Sequence, residues 1–226
     1  MLRAAITGFL GGFIVSIPTG PVNLTILNEA ARRGFKWAAL ISIGATLMEV
    51  VYCFIAFTSL GSLFQTNDYM KAGMELVSFV FLLYLGIRFL RADTVRTAVQ
   101  FGKAADRIGE KIEERLHPHS AFMTGFVRVL ANPGVLVFWV VFAAFYISRG
   151  IVIADWPGKL TCVGGVALGT AMFYLTLSFC GSRGYGRWSD RTLLRMEHFS
   201  GVCLLALAAI HGFRIIWEMV QHHARR

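Results

Sequence analysis

An apolar run near the start of the chain is interrupted by Ile17-Pro18-Thr19-Gly20-Pro21-Val22-Asn23. Pro18 and Pro21 have no N–H to donate and crowd the carbonyls one turn back. Gly20 admits backbone shapes that other residues avoid. No ideal helix continues through this stretch. Lipid offers no partner to the released carbonyls, so such a break at membrane depth is tolerated only where it packs in protein or lines a wet cavity. In transporters, half-helix ends of this kind hold the substrate or the coupling ion. The alternative is a kink that only shapes a bundle.

The run is one of six. Apolar segments cover about 5–28, 38–61, 70–90, 122–148, 159–181 and 197–218, each near the ~20 residues that span the hydrocarbon. Only 15% of the 226 residues are charged, against about 25% in soluble domains, and the mean hydropathy is +0.60. These observations predict an all-α integral membrane protein. Arg3 and the apolar run after it resemble a signal peptide, but no small-x-small cleavage site follows, so a retained first helix is expected. The formal charge of +9 is read as orientation and lipid contact. Nucleic-acid binding would need a soluble basic face, and none is evident. Cys53, Cys162, Cys180 and Cys203 lie in apolar segments at no metal-like spacing and read as small buried hydrophobes.

Lys and Arg alternate between the connections. Arg32, Arg33 and Lys36 follow the first segment. A run from Arg88 to Arg115 follows the third, and Arg183, Arg187, Arg191 and Arg195 follow the fifth. Lys71, Arg149 and Lys159 are the basic residues of the opposite connections, with Arg3, Arg225 and Arg226 at the ends. The rich set is expected in the cytoplasm and both termini outside. The polar connection 92–120 carries Val95, Val99, Ile108, Ile112 and Leu116 at three- and four-residue steps. It predicts an amphipathic cytoplasmic helix ended by Pro118, serving as an interfacial linker or as a regulatory or partner-binding segment.

The second half echoes the first. Asn132-Pro133-Gly134 interrupts the fourth segment as Pro18 to Pro21 interrupts the first. Gly44 and Tyr52 in the second segment match Gly165 and Tyr174 in the fifth. Gly86-Ile87-Arg88 matches Gly212-Phe213-Arg214. Two three-span units must have opposite orientation. The expected architecture is therefore one transmembrane domain over 1–226. It has two inverted repeats (about 1–91 and 121–226), broken first and fourth helices, and a central site between the repeats.

The residues Pro18-Thr19-Gly20-Pro21-Val22-Asn23-Leu24, Gly34, Gly44-Ala45, Glu49 and Tyr52 resemble the lysine exporter (LysE) family, which includes the homoserine and threonine exporters. Gly125-Phe126, Asn132-Pro133 and Phe138-Trp139 resemble its second signature. The resemblance covers nearly the whole chain. It implies an exporter of amino acids or similar small metabolites in the inner membrane of a bacterium. It further implies that a proton or sodium gradient drives export, with a homodimer as a possible assembly and no cofactor. The chain departs from the family in three places. Thr19 separates Pro18 from Gly20 where many members read Pro-Gly-Pro. Gly134 stands where a lysine usually follows the Asn-Pro pair. Glu49 stands where many members have aspartate.

Glu49 is the sharpest candidate residue. It lies near the midpoint of the second span, where a charge costs roughly 2.5–3.5 kcal/mol, so it should face the bundle interior. There it either carries a coupling proton, pairs with a substrate ammonium, or is a structural glutamate. Asn23 and Asn132 either bind substrate or satisfy the carbonyls that the prolines release, and Thr19 shares that ambiguity. Tyr52, three residues after Glu49, shares its helix face and can hydrogen-bond it. The expected pathway is thus Pro18, Thr19, Gly20, Pro21, Asn23, Glu49, Tyr52, Asn132 and Pro133, with no metal ligand and no catalytic residue. Glu75 is expected at a solvated mouth. His211 is expected in a packing role rather than a proton relay. Trp139, Trp156, Trp188 and Trp217 read as interface or packing aromatics, and Glu29 as an ion-pair partner of Arg32 and Arg33.

The reading is a secondary transporter that exports amino acids. Metal or other cation efflux is the rival within transport, weakened by a single central carboxylate and no Cys/His cluster. An intramembrane enzyme would need a nucleophile with a base or a metal pair, and neither His-Glu-x-x-His nor paired carboxylates occur. A non-transporting membrane subunit would leave the paired breaks without a purpose.

Overall fold

A computed structural model describes residues 1–17, 20–66, 68–92, 111–112, 116, 120–148, 150–152, 155–185 and 190–224. The described elements are helical: α1 (Leu2–Ser16), α2 (Pro21–Arg33), α3 (Phe35–Thr66), α4 (Asp68–Leu90), α5 (Ala121–Leu130), α6 (Pro133–Ser148), α7 (Trp156–Cys180) and α8 (Asp190–Ala224), with a π-helical turn at Gly181–Tyr185 after α7. The amphipathic helix expected over 92–120 lies almost wholly outside the described residues, as do Pro18, Thr19 and Trp188.

Three segments, 35–59, 156–183 and 194–217, are apolar and long enough to cross a bilayer. The pair α5 and α6, bent by 66° at its break, makes a fourth if taken as one span. The other two expected spans fall on α1 with α2, where α1 is apolar but has only 15 residues, and on α4.

Local chemistry sets the ends of these helices. Gly20 is extended before α2 and Pro21 occupies the first helical position, where a missing N–H costs nothing. Gly34 ends α2 at φ 83, a left-handed value that favours glycine. Ser120 caps α5 by accepting from Met123 N at 3.2 Å. Asn132 starts α6 by accepting from Gly134 N through Oδ1 at 3.1 Å. Asp155 caps α7 by accepting from Gly158 N at 2.8 Å. Glu29 pairs with Arg32 and Arg33 at 3.7 and 3.1 Å, as the helical spacing predicts.

The main core joins α1, α2, α3, α5, α6 and α7, with Ile26, Ile41, Phe57, Trp139 and Val166 fully buried. A second cluster, including Leu85, Phe89, Val141 and Leu204, ties α4 and α8 to α6. Phe138 packs against both. Glycines let two helix pairs touch backbone to backbone. A Cβ on Gly8 would collide with the Cys162 carbonyl, and one on Gly165 with the Ala5 carbonyl, so α1 lies against α7. A Cβ on Gly125 would collide with the Ile41 carbonyl, and one on Gly44 with the Phe122 carbonyl, so α3 lies against α5. The two contacts correspond residue for residue. Ala5 and Gly8 take the places of Phe122 and Gly125, and Cys162 and Gly165 take those of Ile41 and Gly44. Close approach through small residues is how helices associate where lipid removes the hydrophobic drive.

Candidate functional site

The broken helices present their freed carbonyls to neighbouring side chains. At the first break, Asn23 Nδ2 donates to Ser16 O at 2.9 Å. One turn earlier, inside α1, Ser16 Oγ donates to Gly12 O at 2.7 Å and Thr170 Oγ1 donates to the same carbonyl from α7 at 3.3 Å, contacts that hold the end of α1 rather than replace a lost helical bond. At the second break, Tyr52 OH donates from α3 to Leu130 O at 2.9 Å. An unpaired buried carbonyl costs about 1–3 kcal/mol, so the Asn23 and Tyr52 contacts let the chain break inside an apolar bundle. Asn23 and Tyr52 therefore each satisfy a freed carbonyl, the task that sequence reasoning set beside substrate binding for Asn23; Asn132 instead accepts from Gly134 N and so has a different structural task. The backbones of Gly20, Pro21 and Pro133 form the breaks themselves.

Tyr52 thus serves the second break and not Glu49. The hydroxyl that reaches Glu49 belongs to Tyr174 on α7, which donates to Oε1 at 2.5 Å. Glu49 is 3% exposed. Its second oxygen, Oε2, is buried without a hydrogen-bond partner among the described residues. The Trp139 indole lies beside the carboxyl without closing a hydrogen bond, and Trp139 Nε1 is likewise buried and unpartnered. Thr46, one turn before Glu49, adds a third such atom, Oγ1. Ser16, at the end of α1, lies beside the Tyr174 hydroxyl. Four elements (α1, α3, α6 and α7) therefore converge on one carboxyl, beside the first break.

This arrangement has a defined chemical capacity. Tyr174 offers a single neutral hydrogen bond, while an ionised carboxylate can accept several. No cationic side chain among the described residues pairs with Glu49. Holding a charge there requires a cation, and otherwise a proton, because a buried unpaired charge is far too costly. The carboxyl can therefore exchange a proton or hold an ammonium group. It can do either with Trp139 Nε1 and Thr46 Oγ1 as further polar contacts.

The other candidates are placed as follows. His211 is fully buried, its Nε2 is 3.0 Å from Glu75 O, and its ring packs edge-on against Phe145, a packing role. Glu75 is half-buried. Trp156 and Trp217 are exposed. Cys53 and Cys162 are buried and Cys180 and Cys203 half-buried, all as free thiols. Sequence reasoning missed Glu197. It is fully buried on α8, and neither carboxyl oxygen has a partner among the described residues. It shares a face with Gly201, Leu204, Ala208 and His211. That three- and four-residue spacing is present in the sequence, but Glu197 stands at the first position of the apolar segment 197–218, where a charge does not stand out.

The family described as LysE type translocator matches residues 13–212. A provisionally named amino acid efflux protein, YcgF, of Bacillus subtilis (strain 168) is 22% identical over 209 residues, covering 92% of this chain and 95% of its own. The leucine efflux protein of Salmonella typhimurium is 29% identical over 137 residues, 60% of this chain and 59% of its own length. The chemotactic transduction protein ChpE of Pseudomonas aeruginosa is 26% identical over 139 residues, 62% of this chain and 63% of its own. No solved structure matches.

Proposed function

The chain belongs to the LysE type translocator family, and from that premise we propose that it exports amino acids or closely related small metabolites across the cytoplasmic membrane of a bacterium, driven by an ion gradient. The observation that carries the reading is the Glu49 carboxyl, buried where α1, α3, α6 and α7 meet, bonded through one oxygen to Tyr174 and without a partner at the other among the described residues. An intramembrane ionisable group beside a broken helix is where transport chemistry concentrates. The names of the efflux proteins that cover most of this chain, or three-fifths of it, support amino acids as the cargo class.

In this reading Glu49 is the exchangeable charge of the cycle. It alternates between a proton and a cation, either the coupling ion or the substrate's ammonium group. The matched contacts of α1 with α7 and of α3 with α5 support two inverted repeats of three spans. In the register that superposes these contacts, Thr170 takes the place of Glu49, so the two halves differ at the acidic position. The Lys/Arg pattern supports a cytoplasmic position for the 92–120 connection.

The test is uptake of a panel of labelled amino acids into inverted vesicles carrying the protein. Export by the intact cell corresponds to accumulation in such vesicles. Accumulation of particular amino acids that collapses when the ion gradient is dissipated is expected. Equal retention of every amino acid in vesicles with and without the protein would refute the proposal.

A further inference from the structure

Away from Glu49, two arginines from opposite ends of the chain share one cavity. Arg3 begins α1 and Arg214 lies near the end of α8. Together with Ile6, Thr7, Gly150 and Ile151 they line a cavity of about 360 Å³. No carboxylate lines it among the described residues. The Thr7 hydroxyl donates to Arg3 O, within α1. Gly150, at φ 61, turns the backbone between α6 and α7 past the cavity in a conformation that favours glycine. Both arginines are exposed, and two guanidinium groups lining one cavity give it a positive potential that favours an anion. Guanidinium is also the side-chain group best shaped to grip phosphate oxygens in pairs.

The surroundings define the anion. Leu2, Ile6 and Leu10 on α1 are exposed, and so are Ile210, Phe213, Ile216 and Trp217 on α8. In a membrane protein such a surface meets acyl chains, and a tryptophan near the end of a span sits at headgroup level. A cavity with two arginines at its wall and apolar flanks on both sides matches a phosphate attached to hydrocarbon. We propose that Arg3 and Arg214 form a binding site for the headgroup phosphate of an anionic phospholipid, whose acyl chains lie along the exposed faces of α1 and α8. Bound there, the lipid would tie the first helix to the last. This site is independent of the transport reading, since it requires only that the chain span a membrane.

The experiment is native mass spectrometry of the purified protein titrated with phosphatidylglycerol or phosphatidylcholine. Preferential retention of phosphatidylglycerol is expected. The Arg3→Gln, Arg214→Gln double variant should bind it roughly ten- to thirty-fold more weakly, as for two lost arginine contacts to an anionic headgroup. The Arg3→Lys, Arg214→Lys variant should retain most of the binding. The lipid-free thermal transition checks that each variant folds. If the double variant does not, Arg214→Gln alone should show a loss of about five-fold. Equal retention of the two lipids, or equal binding by wild type and the folded glutamine variants, would overturn the proposal. Displacement of phosphatidylglycerol by excess inorganic phosphate would also overturn it, in favour of a site for free anions.

Discussion

Replacing Tyr174 by phenylalanine removes one oxygen from the bundle and leaves the ring that fills its place. The lost group is the hydroxyl that donates to Glu49 Oε1, the one hydrogen bond that this carboxyl, 3% exposed, makes among the described residues. If Glu49 ionises during the cycle, that bond supports the charged state and is worth about 1.5–3 kcal/mol. Gradient-driven transport in Tyr174→Phe should then fall by roughly 10- to 150-fold, since each 1.4 kcal/mol is tenfold. Glu49→Gln keeps the shape but cannot ionise. It should abolish gradient-driven uptake, and Tyr174→Phe should add nothing to it, because no ionised state is left for the hydroxyl to support. The assay is gradient-driven uptake and substrate counterflow in proteoliposomes, beside substrate binding in detergent. Weakened binding in Glu49→Gln would assign the carboxyl to a substrate ammonium. Intact binding with lost coupling would assign it to the coupling ion. Wild-type binding and wild-type coupled transport in both variants would refute the reasoning and leave Glu49 a structural residue.

Three further outcomes follow from the packing. Gly44→Ala and Gly125→Ala each drive a Cβ into a backbone carbonyl of the partner helix, and should lower stability by about 1–3 kcal/mol or more in thermal unfolding; Gly164→Ala, which meets nothing within 4 Å, should be neutral. Asn23→Ala strips Ser16 O of its donor and Tyr52→Phe strips Leu130 O; each should cost about 1–3 kcal/mol, and unchanged melting in both would mean that the freed carbonyls are satisfied elsewhere. Glu197→Leu should raise the melting temperature in detergent, because both oxygens of the native side chain are buried without a partner among the described residues and an apolar isostere removes that desolvation cost; a fall would reveal a partner for the carboxyl.

Much of this architecture is legible in the linear order of residues, because hydropathy and backbone chemistry are local. Apolar runs mark helices suited to lipid. Pro21 and Pro133 mark where those helices must stop, since a missing N–H acts at its own position whatever surrounds it. Glu49 stands out for the same reason, as a charge within an apolar helix. Helical spacing also puts Tyr52 and Glu49 on neighbouring positions of α3, but it does not say which facing helix each side chain meets. That depended on packing contacts: glycines bring α5 against α3, and the Ser42 hydroxyl meets Tyr174 O and Ser178 Oγ where α7 lies against α3. They direct Tyr52 to the broken end of α5 and supply Glu49 with Tyr174, a residue 125 positions away. The burial of Glu197 and the meeting of Arg3 with Arg214 have the same origin. Hydropathy is a property of each residue in turn, whereas a partner is a property of two segments, and only the folding of the chain brings those together.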